Sequence, residues 1–419
     1  MKTLFRRLTV IFTLLCLVAT FTVPGFAEDG GTGSSLPEPG NNYENVEPNG
    51  PVPELPNVPA DPAEPADPAD PADPVEPTDP ADPADPVVEP GFHYCDDGSV
   101  TYYDENGIMV KGWKVIDGKK YYFSTKNGVM AKGLRTLGGK KYYFNKSTGV
   151  MYRGWKTIDG KKYYFSKKNG AALKGLYKVG DYKYFFNRTS GRMMTGLVKD
   201  AARGRVYNID SKGRVQRILY CNKKAVALTY DDGPADGTKS IVKVLQDNGA
   251  VATFFVVGNR AGTYSDSIKA ASRAGNQIGC HTYSHPWLSN LSSSEIKSQM
   301  NKCSNAIKRR TGTAPAICRT PGGENSSTIR SSVGMPIILW SIDTRDWATR
   351  DANATYNSVI SNVSDGDIVL MHDLHDSTAV ASKRIIPKLK KMGYQMVTVE
   401  ELALLKGVKL KAGKVYCRF

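Results

Sequence analysis

Thr229-Tyr230-Asp231-Asp232-Gly233-Pro234 decides the fold of this chain. It follows the apolar run Ala225-Val226-Ala227-Leu228, which reads as a buried strand. The Gly-Pro pair then stops the strand and turns the chain. Two carboxylates therefore sit at a strand end, where α/β folds place their chemistry. Adjacent strand residues point to opposite faces, so one can serve a metal and the other a proton. Asp, Gly and Pro are also ordinary turn residues. The surrounding chain decides between the two readings.

Downstream, strand-like runs alternate with helical ones. Val251–Val257, Gln277–Cys280, Pro336–Trp340 and Asp367–Met371 read as strands. Ser292 and Glu295 have the capping-box spacing and open a helix to about Arg310, with Ile296, Met300, Cys303 and Ile307 on one face. Pro387 is expected to interrupt a helical stretch that follows Ser382. The pattern predicts an α/β domain of βα units over residues 218–419.

Four of the five histidines lie there, at 281, 285, 372 and 375. His281-Thr-Tyr-Ser-His285 follows a predicted strand, and its two imidazoles meet one metal if the backbone between them turns helically. Two His plus one carboxylate leave open positions on a divalent ion, as catalysis requires. Asp232 is the natural third ligand.

Upstream, Gly112-Trp113, Gly133-Leu134, Gly154-Trp155, Gly175-Leu176 and Gly196-Leu197 recur at an unbroken period of 21 residues. The first four are each followed by an aromatic triplet, such as Tyr121-Tyr122-Phe123 or Tyr163-Tyr164-Phe165. Asp117-Gly118 and Asp159-Gly160 are hairpin turns between aromatic strands. One hairpin cannot bury its own aromatic face, so residues 91–217 form a stacked β-hairpin solenoid.

Residues 28–90 hold 16 Asp plus Glu, no Lys or Arg, and proline at nearly every third position from Pro62 to Pro86. Such a segment cannot bury a core and reads as an extended disordered linker. Residues 1–27 have the basic start, apolar stretch and small-x-small end of a secretory signal. The chain carries +15 overall, so the part beyond the acidic linker is strongly basic. A basic exported body calls for an anionic polymer such as a wall polymer; no nucleic-acid motif accompanies the charge. After signal cleavage no membrane segment is expected. Six cysteines remain, permitting up to three disulfides, with Cys221 and Cys417 the expected pair because they bracket the last domain.

Two resemblances emerge. Gly-Trp-Lys-x-Ile-Asp-Gly-Lys-Lys-Tyr-Tyr-Phe, from Gly112 and again from Gly154, resembles the cell-wall-binding repeats of choline-binding and glucan-binding modules. That resemblance implies a wall polymer or glycan ligand (choline, glucan or teichoic acid), with Trp113, Tyr121, Tyr142, Trp155 and Tyr163 as contact residues. Residues 220–405 resemble the polysaccharide deacetylases, also called carbohydrate esterase family 4. Five motifs occur in family order: Thr229–Pro234, His281–His285, Arg319-Thr-Pro-Gly-Gly323, Asp343-Thr-Arg-Asp-Trp347 and Leu370-Met-His372. The third departs from the family pattern, which usually carries Tyr where Gly322 stands.

The second resemblance implies a distorted (β/α) barrel and a secreted, wall-associated, metal-dependent N-deacetylase. Asp231 would be the general base and His372 the general acid, with Asp343 or Asp346 supporting it. Arg319 would pair with Asp231. Asp232, His281 and His285 would hold zinc or another divalent ion such as cobalt or manganese. Tyr230, Pro321 and Gly322 would line the substrate site, the last through a backbone N–H. Trp347 and Leu370 would wall the acetyl pocket. The implied substrates are peptidoglycan N-acetylglucosamine, N-acetylmuramic acid, chitin oligomers or acetylated xylan. A non-catalytic wall-binding adhesin is the rival of another class.

Overall fold

The computed structural model describes residues 88–419. The expected signal segment and nearly all of the expected linker lie outside the described residues. Among the described residues no helix is long and apolar enough to cross a membrane.

The 21-residue units fold as antiparallel hairpins: Gly112–Ile116 with Lys119–Phe123, Gly133–Leu137 with Lys140–Phe144, Gly154–Ile158 with Lys161–Phe165, and Gly175–Val179 with Tyr182–Phe186. Asp117 and Gly118 both take positive φ, 49° and 71°, as a two-residue turn of matching twist requires. Strand alternation splits each triplet between two faces. Phe123, Phe144, Phe165 and Phe186 are fully buried. Stacking uses one repeated backbone hydrogen bond: Met151, Ala172 and Met193 donate their N–H to the carbonyls of Lys120, Lys141 and Lys162 in the preceding hairpin.

A three-stranded sheet, Gly196–Asp200, Arg205–Ile209 and Val215–Tyr220, ends the array. The expected boundary at 217/218 falls inside its last strand. Val206 and Leu219 of this sheet share a core cluster with Ala225, Phe255, Ile368 and Leu402 of the following domain. Buried Glu401 also receives Arg217 at 2.7 Å and Asn208 at 2.9 Å. The two folded parts are thus joined through packed apolar surface and an ion pair.

Beyond Tyr220 the chain is α/β. Ala225–Asp231, buried at all seven positions, pairs in parallel with Thr253–Val256 on one side and Ile368–His372 on the other. Gln277–Cys280 extends the sheet beyond Thr253–Val256, and Ile342–Asp343 extends it beyond Ile368–His372. Cys280 bridges to Cys318 and Cys318 to Ile337, in parallel again. The sheet curls: the guanidinium of Arg319 reaches both the Ile338 carbonyl and Asp231, which lies across two intervening strands. Only the inside of a curved sheet brings those groups together. The outcome is an incomplete (β/α) barrel after a hairpin solenoid.

Three local expectations need correction. The helix Asp376–Lys391 runs through Pro387 without interruption. Ile385, Ile386 and Leu389 are buried around it, and the carbonyl deprived of a donor belongs to Lys383, an exposed residue. His281–His285 is not helical; Thr282 and His285 take positive φ, 62° and 59°. Cys221 and Cys417 are unpaired, as are the other four described cysteines. Cys221 follows the strand that ends the array, and Cys417 follows Val415–Tyr416, which pairs with Ile337–Ile338. The capping box at Ser292 and Glu295 and its helix, Ser293–Thr311, form as read.

Candidate active site

Register places the first pair. Asp231 lies directly beside His372 at the carboxyl ends of neighbouring parallel strands. Alternation then turns Thr229 and Asp231 into the barrel and Tyr230 away from it. Tyr230 is fully buried, stacks on Phe254 at 5.1 Å and meets the Ser382 hydroxyl at 3.0 Å. It is a core residue, which corrects its assignment to the substrate site. Leu370 shares the inward face with Asp231 and is buried.

Arg319 is completely buried and spends its donors locally. Nη1 donates to Asp231 Oδ1 and Thr229 Oγ1, both at 2.7 Å; Nε donates to the Ile338 carbonyl and Nη2 to the Leu339 carbonyl. Phe255 lies under the guanidinium at 4.3 Å. A buried ion pair needs such additional hydrogen bonds to offset its desolvation. Asp231 Oδ1 is thereby fixed, and Oδ2 lies 3.8 Å from His281 Nε2.

Asp232 takes φ 69°, uncommon for a residue other than glycine. The twist turns its carboxylate toward the His281 segment. Its Oδ1 is 3.2 Å from Nε2 of both His281 and His285. The same oxygen is buried and without a hydrogen-bond partner. One ligand atom from each of the three residues lies within 4.8 Å of the others. His281 donates Nδ1–H to the Arg319 carbonyl at 2.8 Å, which leaves the Nε2 lone pair facing the cluster. A buried orphan oxygen and an oriented imidazole nitrogen are the donor set a divalent cation takes.

His372 is held by Asp346. Its Nδ1–H donates to Asp346 Oδ1 at 2.8 Å, and its backbone N–H donates to Oδ2. Thr378 donates to Oδ2 at 2.6 Å. Burial lowers the imidazole pKa, but Asp346, aided by Asp231 and Asp232, outweighs it and raises it to about 8. Asp343, the alternative partner, is exposed and accepts the Arg345 N–H instead. A left-handed Arg345, φ 54°, reverses the chain and carries Asp346 beneath His372.

Asp373 and His375 frame this side. Asp373 is buried, accepts from Thr238, and fills the space a side chain on Gly233 would need. Burial pushes its carboxyl up to about 7. His375 contacts Arg350 through Nδ1 at 2.5 Å. Thr378 lies outside every motif, and Thr229 and Arg345, though inside the first and fourth, were not singled out as site residues. Trp347 is half-exposed. Pro321 is buried; Gly322 lies beneath the indole of Trp287, another residue the sequence did not single out.

In the array, Trp113 packs edge-on against Tyr122 at 5.1 Å and Tyr142 of the next hairpin at 4.9 Å. Trp155 repeats this with Tyr164 and Tyr184 at the same distances. Lys120 and Lys162 each sit over one of these indoles at 4.7 Å. Tyr121 and Tyr163 are buried on the opposite face with Phe123 and Phe165, so they are core residues and not surface contacts.

The polysaccharide deacetylase profile matches residues 220–335, and the choline-binding repeat profile matches 95–133 and 131–174. A peptidoglycan-N-acetylglucosamine deacetylase of Bacillus cereus is 35% identical over 190 residues, 43% of this chain and 89% of that protein. The chain belongs to the polysaccharide deacetylase family. Peptidoglycan-N-acetylglucosamine deacetylase PgdA of Listeria monocytogenes is 38% identical over 46% of this chain and 41% of its own length. Peptidoglycan-N-acetylmuramic acid deacetylase PdaC of Bacillus subtilis is 37% identical over 44% and 40%. The match therefore spans less than half the length of these two relatives.

Proposed function

We propose that this chain is a metal-dependent hydrolase that removes N-acetyl groups from a cell-wall glycan, with peptidoglycan N-acetylglucosamine the favoured substrate. The observation that carries this reading is the convergence of three differently held groups at one barrel end. These are the Asp232–His281–His285 cluster, Asp231 on Arg319, and His372 on Asp346.

A divalent ion held by Asp232, His281 and His285, zinc by preference, would polarise the acetyl carbonyl and acidify a water. Asp231 accepts the proton of the attacking water through Oδ2, because Oδ1 is committed to Arg319. His372 donates a proton to the departing nitrogen, so acetate and a free amine leave. Its Nδ1–H is committed to Asp346, which directs Nε2 to that task. Leu370 supplies apolar surface below the two acid–base groups.

The array addresses the enzyme to the wall. Residues 91–217 carry 27 Lys plus Arg against 9 Asp plus Glu, favouring an anionic wall polymer or glycan. Tethering raises local substrate concentration without new catalytic contacts. Export and a cell-wall location follow from the same reading.

The test is a sugar-by-sugar analysis of peptidoglycan treated with the metal-loaded protein. Glucosamine in place of N-acetylglucosamine is the expected product. De-N-acetylated muramic acid, the activity in the name of the Bacillus subtilis relative, would keep the reaction and move the substrate. Unchanged sugars would overturn the reading.

A further inference from the structure

Trp287 follows His285 by two residues, at the start of the turn Leu288–Asn290. A Cβ on Gly322 would collide with its Cζ3 and stand 2.8 Å from its Cη2. The indole therefore lies directly on the Gly322 backbone, which takes φ 59°. Bulk at 322 and the ring at 287 exclude one another.

The ring is 60% exposed, although tryptophan is usually well buried. Its base is nevertheless fixed. The Leu288 N–H donates to Glu324 Oε2 at 2.6 Å and the Ser289 N–H donates to Oε1 at 3.3 Å. Leu288 itself is fully buried in the barrel's core. An apolar ring with a fixed base and an open face is built to receive something. On the general-acid side, half-exposed Trp347 follows Asp346, the partner of His372. One indole is thus tied to the His285 segment and the other to the support of His372.

We infer that Trp287 is a sugar platform: the C–H face of a pyranose ring stacks on its indole, beside the residue whose acetamido group reacts. The inference rests on the deacetylase reading above for the identity of the polymer. The indole presents a flat apolar face with a negative quadrupole, which suits the polarised C–H bonds of a sugar ring. Gly322 is the seat on which this ring lies. Trp287 contributes to glycan affinity and leaves the proton transfers to Asp231 and His372.

Steady-state kinetics on an N-acetylglucosamine tetramer test this, using the full chain loaded with zinc. Trp287→Ala should raise KM about tenfold with kcat within about twofold. Trp287→Tyr, which keeps an aromatic face, should restore most of the loss. Gly322→Ala, which drives a Cβ into the ring's seat and strains a positive-φ backbone, should raise KM at least as far as Trp287→Ala. Calorimetric binding of the tetramer to Asp231→Asn protein, with and without Trp287→Ala, gives a second readout that needs no turnover. Equal KM and equal affinity with and without the indole would overturn the platform. Absent acetate release by the wild type would overturn the deacetylase reading instead, and the calorimetric difference would still decide the platform.

Discussion

The hairpin array and the barrel use the same device in opposite ways. Both set side chains by strand alternation. In the array, the surroundings of Trp113 recur around Trp155, with matching ring distances and a lysine over each indole. In the barrel, the surroundings of each site residue occur once: Asp231 has Arg319, His372 has Asp346, and Asp232 faces His281 and His285. Repetition spreads a binding task over equivalent units; convergence concentrates a chemical task on single atoms. The two regions should therefore respond very differently to single substitutions.

The largest effect is expected at Asp231. Asp231→Asn should lower the initial rate of acetate release by about 10³-fold, because the proton acceptor is lost. Calorimetric melting of the variant shows whether the fold is kept. Next is Arg319→Met, which leaves a carboxylate buried and unpaired and should destabilise the protein by about 3–5 kcal/mol in denaturant unfolding. A third change, Asp346→Asn, acts through the pH profile. His372 is raised to about 8, so its protonated form persists to that pH and activity falls as pH rises through it. The Asp346→Asn variant removes the main support, and the falling limb should move to lower pH. Asp231, Asp232 and His375 also face this imidazole, the carboxylates raising its pKa, and they stay in place. The smallest effect belongs to the array. Trp113→Ala should weaken retention on purified wall sacculi by no more than about threefold, since Trp155 and its neighbours remain. A tenfold loss from that one change would break the comparison.

Much of the barrel site was legible because its residues flank strand ends in motifs of fixed spacing. Asp231, Asp232, His281, His285 and His372 meet in the structure at the end where the sequence put them. Alternation, applied strictly, would also have excluded Tyr230, which sits between two inward residues, and Tyr121 and Tyr163, which share a face with buried phenylalanines. The choice between Asp343 and Asp346 was not legible, because it turns on a left-handed Arg345 that no local rule demanded. Trp287 was not legible either: it belongs to no motif, and only its contact with Gly322 gives it a place. Pro387 misled because the carbonyl it leaves without a donor belongs to an exposed residue, Lys383, and not to the buried face of the helix.

The most direct test of the central claim is acetate release from purified peptidoglycan by the zinc-loaded protein, beside chelator-treated protein and the Asp231→Asn variant. The predicted result is stoichiometric acetate and free amine from the wild type, loss on chelation with recovery on adding a divalent ion, and near-silence from the variant. Equal release by wild type and variant, or none from any acetylated glycan by metal-loaded wild type, would contradict the account.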